Sequence, residues 1–298
     1  MSLAPSTAPR LVVSGGALGD QLLRLPLVRA LAELGPLRLL APRVTLVWVD
    51  LEAPSLRLDA AEAACLFGDG ALSGAAAALL EGVEEAIVLL DGDALTQALR
   101  RRGLQVHPRG GAPAPGVHQL SHLASGLVAL PSPEALPTPF LRVSAALNAP
   151  EVLLLPGSGG LKKCWPAERF LALGAELQAR GLSVAVALGP DELERGPGPE
   201  RFVGLPVLEG PSLAELAALC AGARLVLGND AGTTHLAAAA GATVLALFGP
   251  TDPARWRPLG PKVTVHNAGA GLAELPHEAV LDEVLRLIGQ PNKGEGGG

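Results

Sequence analysis

Alternation of short apolar runs with amphipathic stretches predicts an α/β chain. It should form two doubly wound domains, each a parallel sheet covered by helices, with a cleft between them. Three observations carry this prediction. The apolar runs are short and rich in Val and Leu, as strands buried on both faces are. Glycine or proline turns follow them. The pattern runs on both sides of a proline-rich stretch, LPSPEALPTPF followed by VSAALNAPE, where neither helix nor strand persists. That stretch places a boundary near Asn148, giving domains 1–147 and 148–298.

In the first half, Leu11–Val13, Val44–Val49, Ala86–Leu90 and Leu104–His107 read as strands. Gln21–Leu34 carries Leu22, Leu23, Leu27, Ala30, Leu31 and Leu34 at helical spacing, with Pro26 in its second turn as a kink point. The second half has cleaner punctuation. Val152–Leu155 is a strand, followed by a glycine turn and a helix opening at Pro166 and stopping at Gly181. Ser183–Leu188 is the next strand, and Ser212 with Glu215 forms a capping box that opens another helix. The strand Arg224–Gly228, the helix Thr233–Ala240 and the strand Thr243–Phe248 make a further unit, and Glu278–Ile288 closes the chain as an amphipathic helix. The tail KGEGGG reads as disordered.

Composition narrows the function. Hydrophobic residues make up 49% of the 298 and charged residues 17%, enough apolar material for sizeable cores. Aromatics are 3% with no Tyr, and the net charge is −6, so neither stacking platforms nor a basic footprint for nucleic acid is present. Cys65, Cys164 and Cys220 are odd in number and far apart, which fits a reducing cytoplasm better than a disulfide framework. The opening MSLAPSTAPR lacks an apolar core, and no apolar run reaches the length of a membrane span. Peripheral contact with the inner face of a membrane is compatible with both facts.

Three turns carry the candidate chemistry. SGGALGD, residues 14–20, joins the first strand to the first helix and offers free amides and a helix dipole. Gly16 and Gly19 shape it. It falls short of the dinucleotide fingerprint: Ser14 replaces the first Gly, and Asp50 lies beyond the usual acidic position. Asp20 reads either as a cap for the helix start or, if it faces the cleft, as an acceptor for a hydroxyl proton. PGSGGLKKCWP, residues 156–166, puts a glycine turn and the Ser158 hydroxyl beside Lys162 and Lys163, a phosphate-receptive set without Walker spacing. In GNDAGTTHL, residues 228–236, Asn229 and Asp230 end a strand. The amides of Gly232, Thr233 and Thr234 then point toward an anion, with His235 in the first turn.

Other features carry less. Asp91-Gly92-Asp93 resembles a metal-holding pair but is more simply a strand-end turn. His118 and His122 are four apart, yet Gln119 stands where a zinc hydrolase needs Glu. Cys164 has lysine neighbours that would lower its pKa, but no base follows.

With these turns located, the sequence resembles the bacterial lipopolysaccharide heptosyltransferases, glycosyltransferase family 9. LGDQLLRLPLVRAL resembles the family's LGD-x-LLT-x-P opening, PGSGGLKKCWPAERFLAL its PGS…K-x-WP segment, and GNDAGTTHLAAAAGATVLALFGPTDP its GNDSG-x-x-HLAAA…LFGPTDP segment. The order agrees over about residues 10–290, with a weaker match between Arg38 and Pro115. The resemblance implies a GT-B architecture of two Rossmann-like domains, acceptor on the first and nucleotide-diphosphate sugar on the second. It also implies metal-independent inverting transfer, typically from ADP-heptose, to a glycan or glycolipid acceptor, with no resident cofactor. Asp20 matches the proposed general base and Lys163 the lysine that meets the donor phosphates. Asp230, Gly232, Thr233, Thr234 and His235 match the donor turn, and Asp191 or Glu192 falls near the acidic residue that holds ribose or sugar hydroxyls. Two further readings stay open: a protein that binds a nucleotide sugar without transferring it, and a nucleotide-dependent oxidoreductase. The donor site requires the helix start at Thr233 to be free of its own side chains, with Lys163 directed toward it.

Overall fold

The structure, a computed structural model, describes residues 3–42, 51, 53–68, 70–72, 74–136, 138 and 140–289. The expected strand Val44–Val49 and the glycine tail lie outside the described residues. The chain divides into two compact units, Met1–Pro133 and Glu134–Gly298. This division falls ahead of the boundary read near Asn148. The amides of Phe140 and Leu141 both donate to the Ala239 carbonyl at 3.0 Å, and the Ala146 amide donates to the Ala218 carbonyl at 2.8 Å. The chain just after the proline-rich run is therefore tied to the second unit by its own backbone donors.

In the first unit, β1 (Arg10–Val13), β2 (Leu37–Ala41), β3 (Ser55–Arg57), β4 (Glu85–Val88) and β5 (Gln105–Pro108) form, among the described residues, a sheet of order β3-β2-β1-β4-β5. All its ladders are parallel. Every residue of β1 is buried, as expected for a central parallel strand. The helices are α1 (Leu18–Glu33), α2 (Gly74–Leu80), α3 (Ala94–Arg101) and α4 (Gln119–Ala124). Leu11, Val13, Leu40, Val88, Leu95 and Leu99 close one core on this sheet. α1 starts three residues earlier than expected and runs unbroken past Pro26.

Among the described residues, the second unit repeats the layout with one more strand. β6 (Val152–Leu155), β7 (Val184–Leu188), β8 (Val207–Glu209), β9 (Leu225–Asn229), β10 (Val244–Phe248) and β11 (Val263–Asn267) lie in the order β11-β10-β9-β6-β7-β8, again all parallel. The helices are α5 (Ala167–Ala179), α6 (Pro190–Arg195), α7 (Leu213–Gly222), α8 (Gly232–Ala239), α9 (Pro253–Trp256) and α10 (His277–Gly289). The capping box at α7 forms as expected: the Ser212 hydroxyl accepts the Glu215 amide at 3.2 Å, and Glu215 accepts the Ser212 amide at 2.8 Å. Trp165 and Phe170 meet edge to face at 4.9 Å in the core, and the indole N–H donates to the Leu275 carbonyl at 2.8 Å. Doubly wound sheets are thus present in both units.

Candidate functional site

In each sheet the unit's first strand has its second on one side and its fourth on the other, so the winding reverses there. Open α/β sheets bind ligands outside the carboxyl ends of the strands at such switch points. In the second unit the reversal lies between β6 and β9, which brings the turns 156–163 and 229–232 together. Two candidate turns that are distant in sequence become neighbours because their strands are neighbours.

Polar side chains lock these turns. Asn229 is fully buried; its carbonyl oxygen accepts the Trp165 amide at 3.0 Å and its NH2 donates to the Pro156 carbonyl at 2.7 Å. The Lys163 ammonium lies 2.8 Å from Oδ2 of Asp230, a carboxylate only 8% exposed. Lys163 therefore reaches the residue that leads into α8. The Ser158 hydroxyl donates to the Asp230 carbonyl at 2.8 Å, so it braces the turn instead of standing as the free phosphate donor read from the sequence. Lys162 is exposed; only its carbonyl lies near Gly249.

The start of α8 carries no side-chain cap. The Gly232 and Thr233 amides have no partner among the described residues, and they lie at the positive end of the helix. The expected third amide is not available, because Thr234 N–H donates to the Ala231 carbonyl at 3.1 Å. The Thr234 hydroxyl donates to the Asn229 carbonyl at 2.6 Å, and both Thr234 and His235 are buried; His235 N–H also turns back to Ala231. Gly228 permits this packing: a Cβ there would collide with Oγ1 of Thr234.

Beside the β6 turn opens a pocket of about 370 Å³ lined by residues 156–160, Cys164, Asp191, Glu192, Gly196 and Pro197. Glu192 accepts the Gly189 amide at 2.8 Å, which fixes its carboxylate on the pocket wall. Its other oxygen lies where a Cβ on Gly157 would be, so any larger residue there would push the Glu192 carboxylate aside. The Cys164 thiol is pushed up, first by burial and then by Glu192, opposite to the lowering its lysine neighbour could have given.

The first unit's switch point lies between β1 and β4. Gly16 turns with φ +85°, and a Cβ there would strike the Asp20 carboxylate. Asp20, in the first turn of α1, folds back so that Oδ2 accepts the Ala17 amide at 3.0 Å. Half-buried, it keeps Oδ1 without a hydrogen bond among the described residues. The capping role is thus real, and it leaves one oxygen available. Gly19 lies within α1 and not in the turn.

The remaining features are structural. The Asp91 carboxylate accepts the Gly111 amide, and Gly92 turns with φ +90°. His118 caps α4, its Nδ1 accepting the Leu120 amide at 3.2 Å. Among the described residues, no three His, Cys, Asp or Glu side chains are placed to hold a metal, and no helix is long and apolar enough to cross a membrane. Sequence reasoning missed Arg24, a buried cation at the first switch point; a lone arginine within LLRLPLV was the available signal.

The fold and site define a doubly wound α/β protein with an anion-receptive helix start at a switch point. Residues 132–279 match glycosyltransferase family 9 (heptosyltransferase), and the chain is similar to that family there. It is 35% identical over 145 residues to lipopolysaccharide heptosyltransferase 3 of Escherichia coli K12, covering 46% of this chain and 41% of that protein. Against lipopolysaccharide heptosyltransferase 1 of Pseudomonas aeruginosa it is 39% identical over 111 residues, 36% of this chain and 30% of the relative. The chain thus spans about two fifths or less of the length of these relatives. In three dimensions it resembles E. coli ADP-heptose LPS heptosyltransferase II, with TM-score 0.74, 20% identity, and 94% and 98% of the two chains covered. An E. coli heptosyltransferase solved with ADP superposes with TM-score 0.66 at 19% identity, covering 94% and 99%. These likenesses give the GT-B fold.

Proposed function

We propose that this chain is an inverting glycosyltransferase that moves a heptose from ADP-heptose to a glycan or glycolipid acceptor of the cell envelope. The observation that carries this reading is Lys163, held by Asp230 beside two open amides at the start of α8. An ammonium near a helix N-terminus suits a diphosphate, whose negative charge grows as it leaves. The relatives' names, and the solved neighbour holding ADP, support the choice of sugar and base.

In the reaction so proposed, Asp20 keeps its Oδ2 on the Ala17 amide and takes the acceptor's hydroxyl proton on Oδ1. The acceptor oxygen, as it gives up that proton, attacks the anomeric carbon from the side opposite the diphosphate, inverting the centre as the bond to the diphosphate breaks. Lys163 and the amides of Gly232 and Thr233 neutralise the leaving group, so charge stabilisation comes from the protein and needs no metal. In this reading Glu192, with Asp191 beside it on the pocket wall, accepts ribose or sugar hydroxyls. Unpaired cysteines fit a cytoplasmic setting, and a lipid-anchored acceptor would bring the enzyme to the inner face of the membrane.

A thermal-shift screen with ADP-, UDP-, GDP- and dTDP-sugars tests the donor, since a ligand that binds only the folded state raises its melting temperature. ADP-heptose should give the largest rise. No rise with any of them would sink the reading, and a rise without transfer to any acceptor would leave a binding protein.

A further inference from the structure

Arg24 stands on α1 one turn beyond Asp20, so the two side chains share a helix face. Its side chain is buried, only 9% exposed, in the middle of the leucine-rich stretch LLRLPLV. Burying a guanidinium is costly unless acceptors and counter-charges surround it. Here Nη1 donates to the Gly15 carbonyl and, at 3.3 Å, to the Ser14 hydroxyl. Burial lowers its pKa, and the carboxylates that oppose this are Asp20 from its own helix and Asp91 from the turn after β4. Its Nε has no partner among the described residues. Neither carboxylate forms an ion pair with it within 4.0 Å among the described residues, so the attraction between Arg24 and Asp20 acts through space and leaves the Asp20 oxygens unoccupied by Arg24.

The turn it grips is the one on which Asp20 depends. Gly15 packs so closely on Leu90 that a Cβ would collide, and Gly16 adopts the positive φ that lets the Asp20 carboxylate fold over Ala17. We propose that Arg24 is a positioning residue for the transfer: it clamps the Ser14–Gly15 turn and attracts the Asp20 carboxylate, so that one oxygen stays on the Ala17 amide and the other is presented to the acceptor hydroxyl. This inference rests on the reading of Asp20 as the general base. The corresponding position in the resembled motif LGD-x-LLT-x-P is threonine, so this chain has replaced a small hydroxyl with a buried cation.

The experiment compares Arg24→Thr, Arg24→Lys and Asp20→Asn in the full chain, with ADP-heptose turnover and ADP binding measured from pH 6 to 10. Threonine fits the motif and removes the charge; it should lower kcat by about a hundredfold while the Kd for ADP stays within about twofold. Lysine keeps a cation that can lose its proton when buried. It should turn over near neutral pH and lose activity toward alkaline pH, where the wild type with its permanently charged guanidinium does not. A purely structural role would instead lower the melting temperature of both variants and leave the pH profile alone. Wild-type kcat in Arg24→Thr, or a pH profile in Arg24→Lys identical to wild type, overturns the inference provided Asp20→Asn is inactive. Full turnover in Asp20→Asn overturns the underlying base assignment instead.

Discussion

The Lys163 ammonium sits 2.8 Å from the Asp230 carboxylate, tying the turn after β6 to the turn after β9. The pair joins residues 67 positions apart in sequence and stations a cation beside the two open amides of α8. Asp230 is nearly buried whereas Lys163 is partly exposed, so the carboxylate fixes the ammonium's position and solvent or a ligand can still reach it.

Replacing that cation should therefore do two things. In Lys163→Met, Asp230 remains a buried carboxylate without its partner, which costs about 1–3 kcal/mol of stability. ADP affinity should fall by about tenfold or more, the scale of a lost hydrogen bond to a charged group. Calorimetric titration with ADP checks this, and unchanged affinity in a folded variant removes Lys163 from the donor site.

Asp20 distinguishes its two roles by substitution. Asn can still accept the Ala17 amide, so Asp20→Asn should melt close to wild type, whereas Asp20→Ala gives up the capping bond and should lose about 1 kcal/mol. Both should lose turnover by a factor on the order of 10²–10⁴ while binding ADP normally. Retained turnover in the Asn variant would mean that the carboxylate serves only the helix.

Asn229 holds the two donor-side turns through both ends of its amide. Asn229→Ala should strand the Trp165 N–H and the Pro156 carbonyl in a dry interior, at about 1–3 kcal/mol for each group left unpaired. Urea denaturation measures the loss, and ADP binding should weaken with it because both turns shape the site. A stability change below about 0.5 kcal/mol would mean that the turns hold without Asn229.

At Gly16 the positive φ and the closeness of Asp20 act together. Gly16→Ala should cost about 1–3 kcal/mol from backbone strain. It should also displace the Asp20 carboxylate, so kcat falls further than the lost stability explains while the Kd for ADP stays put. Steady-state kinetics on the folded variant is the check.

The Cys220 thiol is buried in α7 and pushed up to about 12 from its ordinary 9.0. Above pH 9 the unfolded chain releases this proton and the folded chain keeps it, so stability should fall as pH rises, by up to about 1.4 kcal/mol per unit. The chain has no Tyr, so no phenol titrates over the same range. Urea midpoints between pH 8.5 and 10.5 should drop less steeply in Cys220→Ala; equal slopes would show that the thiol is not the titrating group.

Local signals specified much of this protein before any coordinate. Apolar runs at β1, β4, β6, β7, β9 and β10, the capping box at Ser212 and the glycine turns each depend on residues close in sequence, so their positions were legible within a few residues. β2 was missed because LRLLA follows a leucine-rich helix, and five residues broken by Arg38 show no period of their own. The short strands β3, β8 and β11, partly exposed as they are, carried too little apolar signal to stand out. The placement of Asp20, Lys163 and the α8 start at strand ends was likewise readable, through the turns that hold them.

What only the tertiary structure decided is which of those groups face one another and which are already engaged. Strand order set β6 beside β9, and that adjacency joined Lys163 to Asp230 and directed the Ser158 hydroxyl to the Asp230 carbonyl. It also buried Arg24 against the turn that carries Asp20. Hydrogen bonds and charge pairs act over a few ångströms of space, and a linear sequence records that distance only where the chain itself is short.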